Sequence, residues 1–589
     1  MVITKHQNNK YTLKWPTVKS VIEMILTQVG SPNSLELLSV LRTNYTAEDL
    51  QACKAFKVSP NAYRYKPRQY FEDVQISALI NKLADVGLEN NAEVRVLSTL
   101  ESFQSREREN YFWNTHLFNV IDENPFINSV LKHARYFLHT LLDECSLPEF
   151  PDFEVGKGVT SSIRGDDNHI YAKFDERSLV SAKLYSFLKL SKGDDEFYAS
   201  YFDLENPEIE NFCDIATVPK DAFIDRIVTF DPFVNKTIQR FYGNWIRERL
   251  DATIYKKVNL RDRPAYHTSL MCDASLHKNK LCTIDVKNAS NSIYTSLVFN
   301  LLKKDVFTML DTARINRGYL PCGRVHEFEM FSSNGNGFTF ELETAIFYAI
   351  CLGVKKTRNT KSFISVFGDD IIVSDDIFND VMYVLPNIGL ECNEKKTFGP
   401  SSFFRESCGS DYFHGLHVRP KFLKQFGDGI LSLYRFHNAI VKICDNLNID
   451  DTAADFIINR IPKSLRFFGP EELGDGVLHS HNYMTCAYRV EENGVVCVYP
   501  YTKAVKQLVE STVKLHITDL DLRYSTIWRV MYNQSNQIAG GYDSRLAELR
   551  REIGNGFNQL HDLPTSNISS STSTRRKTGK VKVVYTIVP

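Results

Sequence analysis

The stretch that decides the fold is SFISVFGDDIIVS, residues 362–374. An apolar run leads into Gly368, Asp369 and Asp370, and a second apolar run follows them. Two short apolar strands around such a turn predict a β-hairpin with two carboxylates at its tip. The tip would hold acids at the edge of a buried sheet, where a Mg²⁺ ion and a phosphate can reach them. Asp and Gly are also ordinary turn residues, so the three letters alone leave a purely structural turn open.

A second acid stands upstream, in LCTIDVKNASNSI, residues 281–293. Leu281 to Ile284 have the composition of a buried strand, and Asp285 follows at its carboxyl end, before a predicted helix. Ligands bind at such strand ends in sheets flanked by helices, although a lone Asp there is also a frequent helix cap. If the two strands are neighbours, Asp285 and Asp369 can hold two Mg²⁺ ions roughly 4 Å apart.

Two further segments accompany these acids. Between them, FSSNGNGFTFELETAIF, residues 331–347, contains a small polar loop before an amphipathic helix, and such a loop can touch a template or a ribose. After the hairpin, Lys395 and Lys396 can neutralise or protonate a departing pyrophosphate, and the alternative for each is a surface charge. The small polar loop consists of Ser332, Ser333, Asn334, Gly335, Asn336 and Gly337.

Composition limits the class of protein. At 589 residues the chain should form several subdomains, and its 43% hydrophobic and 24% charged residues are those of a globular protein. No apolar run approaches the ~20 residues that cross a bilayer, and the first residues lack the apolar core of a secretory signal. The 12 cysteines show no metal-binding or disulfide spacing. We therefore expect a cytoplasmic protein with reduced thiols and no membrane partner.

The formal net charge of −1 means that nucleic-acid binding needs a local basic surface. Residues 220–263 interleave aromatic and basic side chains, and the alternative for this segment is a solvated helix face. Its basic residues are Lys220, Arg226, Lys236, Arg240, Arg247, Arg249, Lys256, Lys257, Arg261 and Arg263.

Taken in order, SSNGNGFTFELETAIF, VFGDDII, NEKKTF, FRESCG and GDGVL resemble the catalytic (beta) subunit of the replicases of leviviral, Q-beta-like RNA phages. The resemblance runs from IATVPK at residue 215 to LGDGVL at residue 473 and is strongest over 281–412. It implies an α+β fold shaped as a right hand with fingers, palm and thumb, in which helices flank an antiparallel palm sheet. The implied activity is an RNA-directed RNA polymerase that copies a single-stranded, positive-sense phage genome by two-metal nucleotidyl transfer, without a primer.

The same resemblance assigns roles to individual residues. Asp285 corresponds to the motif A aspartate, and Asp369 with Asp370 to motif C; together they would hold two Mg²⁺ ions, for which Mn²⁺ can substitute. Lys395 or Lys396 corresponds to the motif D lysine. The segment from Arg405 to Gly409 corresponds to motif E, near the primer grip. Nucleotide or RNA contacts are implied for Lys220 and Arg226 of the fingers, which favours the channel interpretation. The resemblance makes Ser332 to Thr339 the motif B loop and implies such contacts there for Ser332, Ser333, Gly335, Asn336, Gly337 and Thr339.

Two positions qualify the resemblance. Asn291 stands where the leviviral pattern has a second acid after motif A, and an amide can hydrogen-bond a ribose 2′-hydroxyl without adding negative charge. We therefore expect Asn291 to contact nucleotide. Glu343 stands where many other viral polymerases have Asn, and the leviviral replicases also have Glu, which supports the narrower assignment.

The resemblance also implies partners and a location. These are a single-stranded RNA template, ribonucleoside triphosphates, the host elongation factors Tu and Ts and a small-subunit ribosomal protein, in the cytoplasm of an infected bacterial host. We divide the chain into an N-terminal region with part of the fingers (1–210), a basic fingers segment (211–280), a palm with motifs A to D (281–405), motif E with the thumb (406–560) and a flexible, Ser/Thr-rich basic tail (561–589).

Three alternatives stay open on sequence. A reverse transcriptase shares the palm, and its hairpin usually has an aromatic residue two places before Asp-Asp, the place of Phe367 here; Gly368 completes a GDD form, which favours an RNA product. A polymerase of a capsidless eukaryotic RNA virus is nearer, and FRESCG and GDGVL favour the phage. A non-catalytic RNA-binding or assembly protein would keep the palm as a scaffold, and it would be expected to have lost a metal ligand, yet none is lost.

Overall fold

A computed structural model describes residues 13–54, 59–88, 91–143, 158–163, 173, 178–192, 202–256, 258–424, 430–463, 466, 468–469, 475, 478–479, 487–491, 494–506 and 574–585. Over 487–506 and 574–585 the description concerns the backbone. The chain divides into two compact units: a larger unit of residues 58–71 and 90–419, and a smaller unit of residues 1–57, 72–89 and 420–589.

The helices alternate with short strands along most of the chain. The helices are α1 Trp15–Val29, α2 Pro32–Leu41, α3 Ala47–Lys54, α4 Pro60–Tyr63, α5 Pro67–Asn81, α6 Asn91–Glu123, α7 Pro125–Leu141, α8 Ala182–Lys192, α9 Phe233–Thr253, α10 Arg263–Ser275, α11 Ala289–Ser292, α12 Thr295–Leu301, α13 Lys304–Ala313, α14 Thr339–Thr357, α15 Asp375–Asn387, α16 Ile430–Leu447 and α17 Thr452–Ile458.

The strands form several small sheets. They are β1 Leu179–Val180, β2 Glu208–Ile209, β3 Cys213–Pro219, β4 Asp225–Phe230, β5 Leu281–Ile284, β6 Arg317–Tyr319, β7 Val325–Glu327, β8 Ile364–Phe367, β9 Asp370–Ser374, β10 Phe404–Ser407, β11 Ser410–Phe413, β12 Leu416–His417, β13 Phe468–Gly469, β14 Leu478–His479, β15 Ala487–Glu491, β16 Gly494–Lys506 and β17 Thr574–Tyr585.

The central sheet of the larger unit has the order β5-β9-β8, and both of its strand pairs are antiparallel. Ile371, Ile372 and Val373 of β9 are buried, as expected for the middle strand of a sheet covered on both faces. Helix α10 covers this sheet through a buried cluster that includes Met271, Leu281 and Ile372. The predicted α+β class, with an antiparallel palm sheet flanked by helices, is confirmed.

A second sheet, in the order β4-β3-β6-β7, lies within the same unit. Strands β3 and β4 pair antiparallel, whereas β3 and β6 run parallel. Its core contains Cys213, Ile215 and Ile227 of the sheet together with Phe103 of α6. The sheet therefore joins the predicted fingers segment to the long helix α6.

Helices α7 and α14 pack closely along each other. A Cβ atom on Gly353 of α14 would stand 2.3 Å from the Val130 carbonyl oxygen of α7, so only glycine allows this approach. Helix α14 is buried on nearly every side. It forms a rigid base beneath the loop that precedes it.

The smaller unit begins with α1, whose sequence explains its limits. Pro16 lies in its first turn, and Gly30 closes it with φ 60 in the left-handed region. Val18, Val21, Ile22 and Ile25 are buried at helical spacing. Within the described residues, no helix is both long and apolar enough to cross a bilayer.

The C-terminal segment corrects one prediction. The tail over 561–589 was expected to be flexible, yet Thr574–Tyr585 forms β17, which pairs antiparallel with β16 from Lys506 to Val495. The segment ends in KVKVVY, in which polar and apolar residues largely alternate, a pattern typical of a strand that the Ser/Thr-rich and basic composition around it does not indicate. The remaining residues of the predicted tail lie outside the described part of the chain.

Candidate active site

The predicted acidic hairpin is present. Strands β8 and β9 pair with Phe367 opposite Asp370, so that Gly368 and Asp369 form the two-residue turn. Gly368 has φ 61, a conformation that suits glycine at the first position of such a turn. Its N–H donates to Thr344 Oγ1 over 2.9 Å, which fastens the turn to α14. Asp369 is exposed at the tip.

A neighbouring ring restricts the turn further. A Cβ atom on Gly368 would stand 2.6 Å from Cε2 of Phe340. The Phe340 ring is held in turn by an edge-to-face contact with Phe367, at 4.8 Å between centroids. The path of the chain beneath the two aspartates is therefore set by side chains as well as by backbone hydrogen bonds.

The structure brings Asp285 to the same sheet edge. Ile284 of β5 lies opposite Ile371 of β9, so Asp285, the next residue, comes beside Asp370. Asn393 orients Asp285 twice, because its backbone N–H donates to the Asp285 carbonyl oxygen over 2.8 Å and its Nδ2 donates to Oδ2 over 2.9 Å. Asn393 was missed from sequence, although it opens the segment NEKKTF.

Burial and neighbouring negative charges raise the pKa of two acids at this edge. Desolvation and then the charge of Asp369 raise the pKa of Asp370 to about 7, against the backbone N–H of Cys408, which favours the carboxylate. Desolvation also raises the pKa of Asp369, and the charge of Asp285 adds to it. Three carboxyl groups at one edge thus hold more negative charge than the surrounding protein neutralises.

The nearest cation distinguishes between the two candidate lysines. Lys396 Nζ lies 3.6 Å from Asp285 Oδ1 and 3.8 Å from Glu406 Oε1. Desolvation opposes its charge, but the carboxylates of Glu406 and Asp285, with smaller effects from motif C, outweigh that and raise the pKa of Lys396. For Lys395 the structure records a hydrogen bond from the backbone N–H to Asn393 Oδ1, over 3.3 Å. Lys396 is thus the lysine at the carboxylates.

Glu406 belongs to a charge network that sequence reasoning did not single out. It faces Asp411 across the β10–β11 hairpin, and Arg419 lies between the two acids. Arg419 Nη1 is 2.8 Å from Asp411 Oδ1 and 3.5 Å from Glu406 Oε1. From Asp285 through Lys396, Glu406 and Arg419 to Asp411, the charges alternate in sign.

Arg405, by contrast, does not face the site. Arg405 is 1% exposed, and its guanidinium donates to the carbonyl oxygens of Leu281, Ser402 and Phe404. Of this segment, Cys408 donates its backbone N–H to Asp370, and Glu406 is linked to Asp285 through Lys396.

The motif B loop lies against the fingers. The Ser333 hydroxyl is 2.6 Å from the Thr229 hydroxyl of β4, and the Thr229 N–H donates to the Asn334 carbonyl oxygen over 2.8 Å. At Gly335, which has φ 127, a Cβ atom would stand 2.2 Å from the Thr229 carbonyl oxygen. The Gly337 N–H donates to Gln239 Oε1 of α9 over 3.1 Å. The glycines thus permit close contact with protein backbone.

Several loop side chains are engaged inside the loop. The hydroxyls of Ser332 and Thr339 are hydrogen-bonded to each other, and Thr339 also donates to the Ser333 carbonyl oxygen over 2.8 Å. Asn336 Oδ1 accepts the Phe338 N–H over 3.0 Å, at the start of α14. Ser332 and Thr339 are 4% and 8% exposed. We had expected these hydroxyls to face RNA, whereas in this arrangement they shape the loop; Gly335 is the exposed member.

Asn291 and Glu343 lie between motif A and motif B. Asn334 Nδ2 is 3.5 Å from Asn291 Oδ1, so the two amides face each other. The Ser290 hydroxyl donates to Glu343 Oε2 over 2.9 Å, whereas Glu343 Oε1 is buried with no hydrogen-bond partner. Burial and then the charge of Asp369 raise the pKa of Glu343 to about 8.

The basic fingers segment divides into two parts. Lys220, at the turn between β3 and β4, and Arg226 on β4 are exposed, and the charge of Arg226 lowers the pKa of Asp369 against the larger desolvation effect. Arg247 of α9 instead donates to the buried carboxylate of Glu341 over 2.6 Å, and Arg249 donates to the Leu141 carbonyl oxygen over 3.0 Å.

Other basic residues of the segment are also engaged within the protein. Lys236 Nζ donates to the Val159 carbonyl oxygen over 3.0 Å, and Arg263 is buried with its guanidinium 3.9 Å from the centre of the Tyr255 ring. The predicted basic channel is thus narrower than the sequence suggested, because these side chains tie helices together rather than line a surface. Lys257 lies outside the described residues.

The carboxylates of Asp285, Asp369 and Asp370 supply oxygen atoms, which are the ligands that Mg²⁺ prefers. Among the described residues, no three His, Cys, Asp or Glu side chains already converge closely enough to hold a metal ion. Asp285, Asp369 and Asp370 are nevertheless the acids that share one edge, and their mutual repulsion is what a divalent cation would relieve.

Comparisons with known proteins agree on one family. A family model described as RNA replicase, beta-chain, matches residues 33–586. The chain is 31% identical over 480 residues to the RNA-directed RNA polymerase subunit beta of Enterobacteria phage SP, a match that covers 78% of this chain and 76% of that protein.

Shorter matches connect the chain to other RNA phages. It is 34% identical over 308 residues to the RNA-directed RNA polymerase subunit beta of Escherichia virus Qbeta, covering 52% of this chain and 47% of that protein. It is 35% identical over 226 residues to the RNA-directed RNA polymerase beta chain of Escherichia phage MS2, covering 38% of this chain and 40% of that protein.

A solved RNA-dependent RNA polymerase of a human picorbirnavirus matches with 14% identity and a TM-score of 0.31, covering 44% of this chain and 57% of that one.

Proposed function

The chain belongs to the RNA replicase beta-chain family, and we propose that it copies a single-stranded phage RNA by two-metal nucleotidyl transfer. It is an RNA-directed RNA polymerase of an RNA phage, as its relatives are. The observation that carries the mechanism is the shared edge of Asp285, Asp369 and Asp370, where three carboxylates repel one another beside Lys396.

Asp285, Asp369 and Asp370 are the residues that would hold the metal ions. When bound, two Mg²⁺ ions, or Mn²⁺ in their place, would activate the attacking 3′-hydroxyl and stabilise the charge of the leaving pyrophosphate. Asn393 keeps Asp285 oriented through two hydrogen bonds, and the tight turn at Gly368 keeps Asp369 and Asp370 at the end of the sheet. Positioning of this kind supplies most of the catalysis in phosphoryl transfer.

The basic side chains handle the charge of the substrate. Lys396, whose charged form the neighbouring carboxylates favour, neutralises or protonates the departing pyrophosphate. Arg226 and Lys220 are exposed and bind the incoming triphosphate. Asn291, facing Asn334, hydrogen-bonds the ribose 2′-hydroxyl with a neutral amide, and its side chain can both donate and accept.

The template and partners that we propose are those implied by the resemblance to the leviviral replicases. The enzyme starts without a primer at the 3′ end of a positive-sense RNA genome, in the cytoplasm of an infected bacterium. It works with the host elongation factors Tu and Ts and a small-subunit ribosomal protein. Support for partners is that several matched phage proteins are named as the beta subunit of a polymerase.

The test is incorporation of labelled ribonucleotides on a short, C-ended RNA by the purified full chain. Reactions contain Mg²⁺, Mn²⁺ or a chelator, and a parallel set contains extract of uninfected bacterial cells. We expect metal-dependent product that starts with a triphosphate at its 5′ end, which marks initiation without a primer. Product that forms only when a complementary primer is also added would contradict primer independence, but the assignment as a polymerase would stand.

The competing function is a palm kept as a binding scaffold. It predicts RNA binding but no incorporation, with or without extract and whichever metal is supplied. Equal incorporation in the presence of a strong chelator would instead contradict the two-metal mechanism. These outcomes test the polymerase activity, the two-metal mechanism and the need for partners independently.

A further inference from the structure

Four aromatic rings form a continuous row in the larger unit, and the proposed polymerase site does not use them. His277 and Phe403 stack with centroids 4.1 Å apart and planes within 13°, and Phe403 and His414 stack at 4.3 Å and 23°. Tyr65 follows His414 at 5.3 Å and 40°. We call these residues the aromatic row.

Hydrogen bonds hold the two histidine rings in place. His277 Nε2 donates to the Ser402 carbonyl oxygen over 2.8 Å, and His414 Nε2 donates to the Arg64 carbonyl oxygen over 2.5 Å. Because each hydrogen bond is made at the edge of the ring, the two faces of the ring can still stack. The row is therefore ordered before any ligand arrives, which lowers the entropy cost of binding.

The two faces of the β10–β11 hairpin differ at this end. Phe404 and Phe413 are buried and meet Tyr70 edge to face, at 5.7 and 5.1 Å, as aromatic rings do in a core. Phe403 and His414, their neighbours in sequence, stack face to face, and the Tyr65 ring contacts both, at 6.4 and 5.3 Å between centroids. Tyr65 itself is 79% exposed. A core contact would not leave a ring so open.

The surroundings of the row are basic. Arg64, Lys66, Lys278 and Lys280 are exposed next to Tyr65 and His277 in the sequence. Lys278 pairs with Asp273 at 3.6 Å, with both side chains more than half exposed, so that pair is weak in water. Flat rings with basic side chains around them match the bases and phosphates of a single strand.

We propose that the aromatic row is a stacking platform for single-stranded RNA, separate from the copying site. The turn at Cys408 and Gly409 touches the motif C acids, whereas Phe403 lies at the other end of β10. A strand rises about 3.3 Å per residue, so the row stands roughly 15 Å from that turn. The platform binds RNA outside the site of chemistry, with unpaired bases stacked on Tyr65 and phosphates on the lysines.

RNA fits the row better than a protein partner does. A protein-binding patch would be expected to bury a wide apolar area, whereas the row offers ring faces with positive charge beside them. The proposal relies on the proposed function only in taking RNA as the ligand. Binding is therefore measured without nucleotides, so that a failure of polymerisation and a failure of the platform are separate results.

The experiment measures the affinity of the full chain for a fluorescent 12-nucleotide oligouridine in the presence of a chelator. The variant is Tyr65→Ala, and the matched control is Tyr136→Ala, because Tyr136 of α7 is 77% exposed and belongs to no row. We expect about tenfold weaker binding in Tyr65→Ala, because one stacked base contributes on this scale. Tyr136→Ala should bind the RNA as the unchanged protein does. Tyr65→Trp, which keeps an aromatic ring at this position, should also bind as the unchanged protein does.

A second measurement locates the RNA directly. Oligouridine carrying 5-iodouracil should crosslink under light to Tyr65, and the crosslinked peptide should contain residues near 65. The double variant Lys66→Gln, Lys278→Gln should reduce the dependence of affinity on salt by about two phosphate contacts.

Three results would overturn the platform. The first is equal affinity of Tyr65→Ala and Tyr136→Ala for the oligonucleotide. The second is crosslinking confined to peptides away from the row. The third is unchanged RNA affinity in Tyr65→Ala together with loss of a protein bound from bacterial extract, which would make the row a docking surface for protein.

Discussion

Two acidic hairpins meet in the larger unit, and they treat their acids in opposite ways. The β8–β9 hairpin carries Asp369 and Asp370, and the β10–β11 hairpin carries Glu406 and Asp411. Both have two-residue turns, and the backbone N–H of Cys408 in the second turn donates to the Asp370 carboxylate of the first hairpin. The two hairpins therefore have the same turn length and the same number of named acids.

The difference is in the counterions. Arg419 contacts both acids of the β10–β11 hairpin, at 2.8 and 3.5 Å, so that pair is neutralised by a fixed side chain. No ion pair is recorded for Asp369 or Asp370 within the described residues. Desolvation raises the pKa of the acids in both hairpins, so the fixed cation is what distinguishes them. The pair without a fixed cation is the one for which we propose a divalent cation as the counterion.

The strongest test of this contrast is Asp369→Asn. We expect polymerisation to fall by at least about a thousandfold, because the neutral amide is a poor ligand for a divalent cation. The fold and RNA binding should persist, since the change also removes a repulsion. Incorporation assays, circular dichroism and oligonucleotide binding measure the three quantities. A variant that unfolds would make Asp369 a structural residue and end the contrast.

The second test separates the two lysines. Lys396→Ala should lower kcat by about a hundredfold, within the range for loss of a general acid. Lys395→Ala is the matched control, since Lys396 is the one whose Nζ lies at Asp285 and Glu406, and it should change kcat less than twofold. Single-turnover kinetics with a preformed RNA complex measures both. Equal losses in the two variants would contradict the assignment of Lys396.

The third test changes an acid of the other hairpin and should affect stability rather than activity. Asp411→Asn should lower the free energy of unfolding by about 2 kcal/mol, because Arg419 would lose its closest carboxylate in a largely buried position. Activity per folded molecule should stay within a few-fold of the unchanged enzyme. Urea denaturation gives the first quantity and incorporation gives the second. A loss of activity as large as that of Asp369→Asn would place both hairpins in the chemistry.

The fourth test uses pH and Mg²⁺. The pKa of Asp370 in the folded protein, about 7, is above that of an ordinary aspartate, so its contribution to stability is present at low pH and lost as pH rises through 7. Mg²⁺ should therefore raise Tm more at pH 8 than at pH 6, by a few degrees. Asp370→Asn should remove most of this difference in thermal scans. A larger effect of Mg²⁺ at pH 6 would contradict the linkage.

The smallest expected effect concerns the fingers. Arg226→Ala should weaken template binding a few-fold and reduce its dependence on salt, because one phosphate contact is lost. Arg247→Ala is the comparison, since Arg247 is engaged with Glu341 and should alter stability rather than the salt dependence. Binding titrations across a salt series measure this. An identical salt dependence in the unchanged protein and Arg226→Ala would remove the basic-channel argument.

The sequence predicted the elements whose signals are local. The β8–β9 hairpin and the strand before Asp285 were identifiable because apolar runs and turn residues determine them within a few positions. The choice between Lys395 and Lys396 was not, because it depends on which lysine side chain reaches Asp285 and Glu406 from a distant segment. The network through Arg419 was missed for the same reason.

Long side chains account for the other misses. Arg247 and Arg249 lie in a basic run that resembled a channel, yet each reaches back to a partner in another helix. The direction of an arginine depends on tertiary contacts, which composition does not encode. Tyr65 was overlooked because its stacking partners, Phe403 and His414, are hundreds of positions away.

The contact between Gly368 and Phe340 has a consequence for the evolution of this family. A residue other than glycine at 368 must accept φ 61 and also displace a ring whose edge would lie 2.6 Å from its Cβ. Substitutions at the two positions are therefore expected to be coupled across lineages. A descendant that acquires a side chain at 368 would first, or at the same time, exchange Phe340 for a smaller residue, so the order of these two changes can be read in reconstructed ancestral sequences.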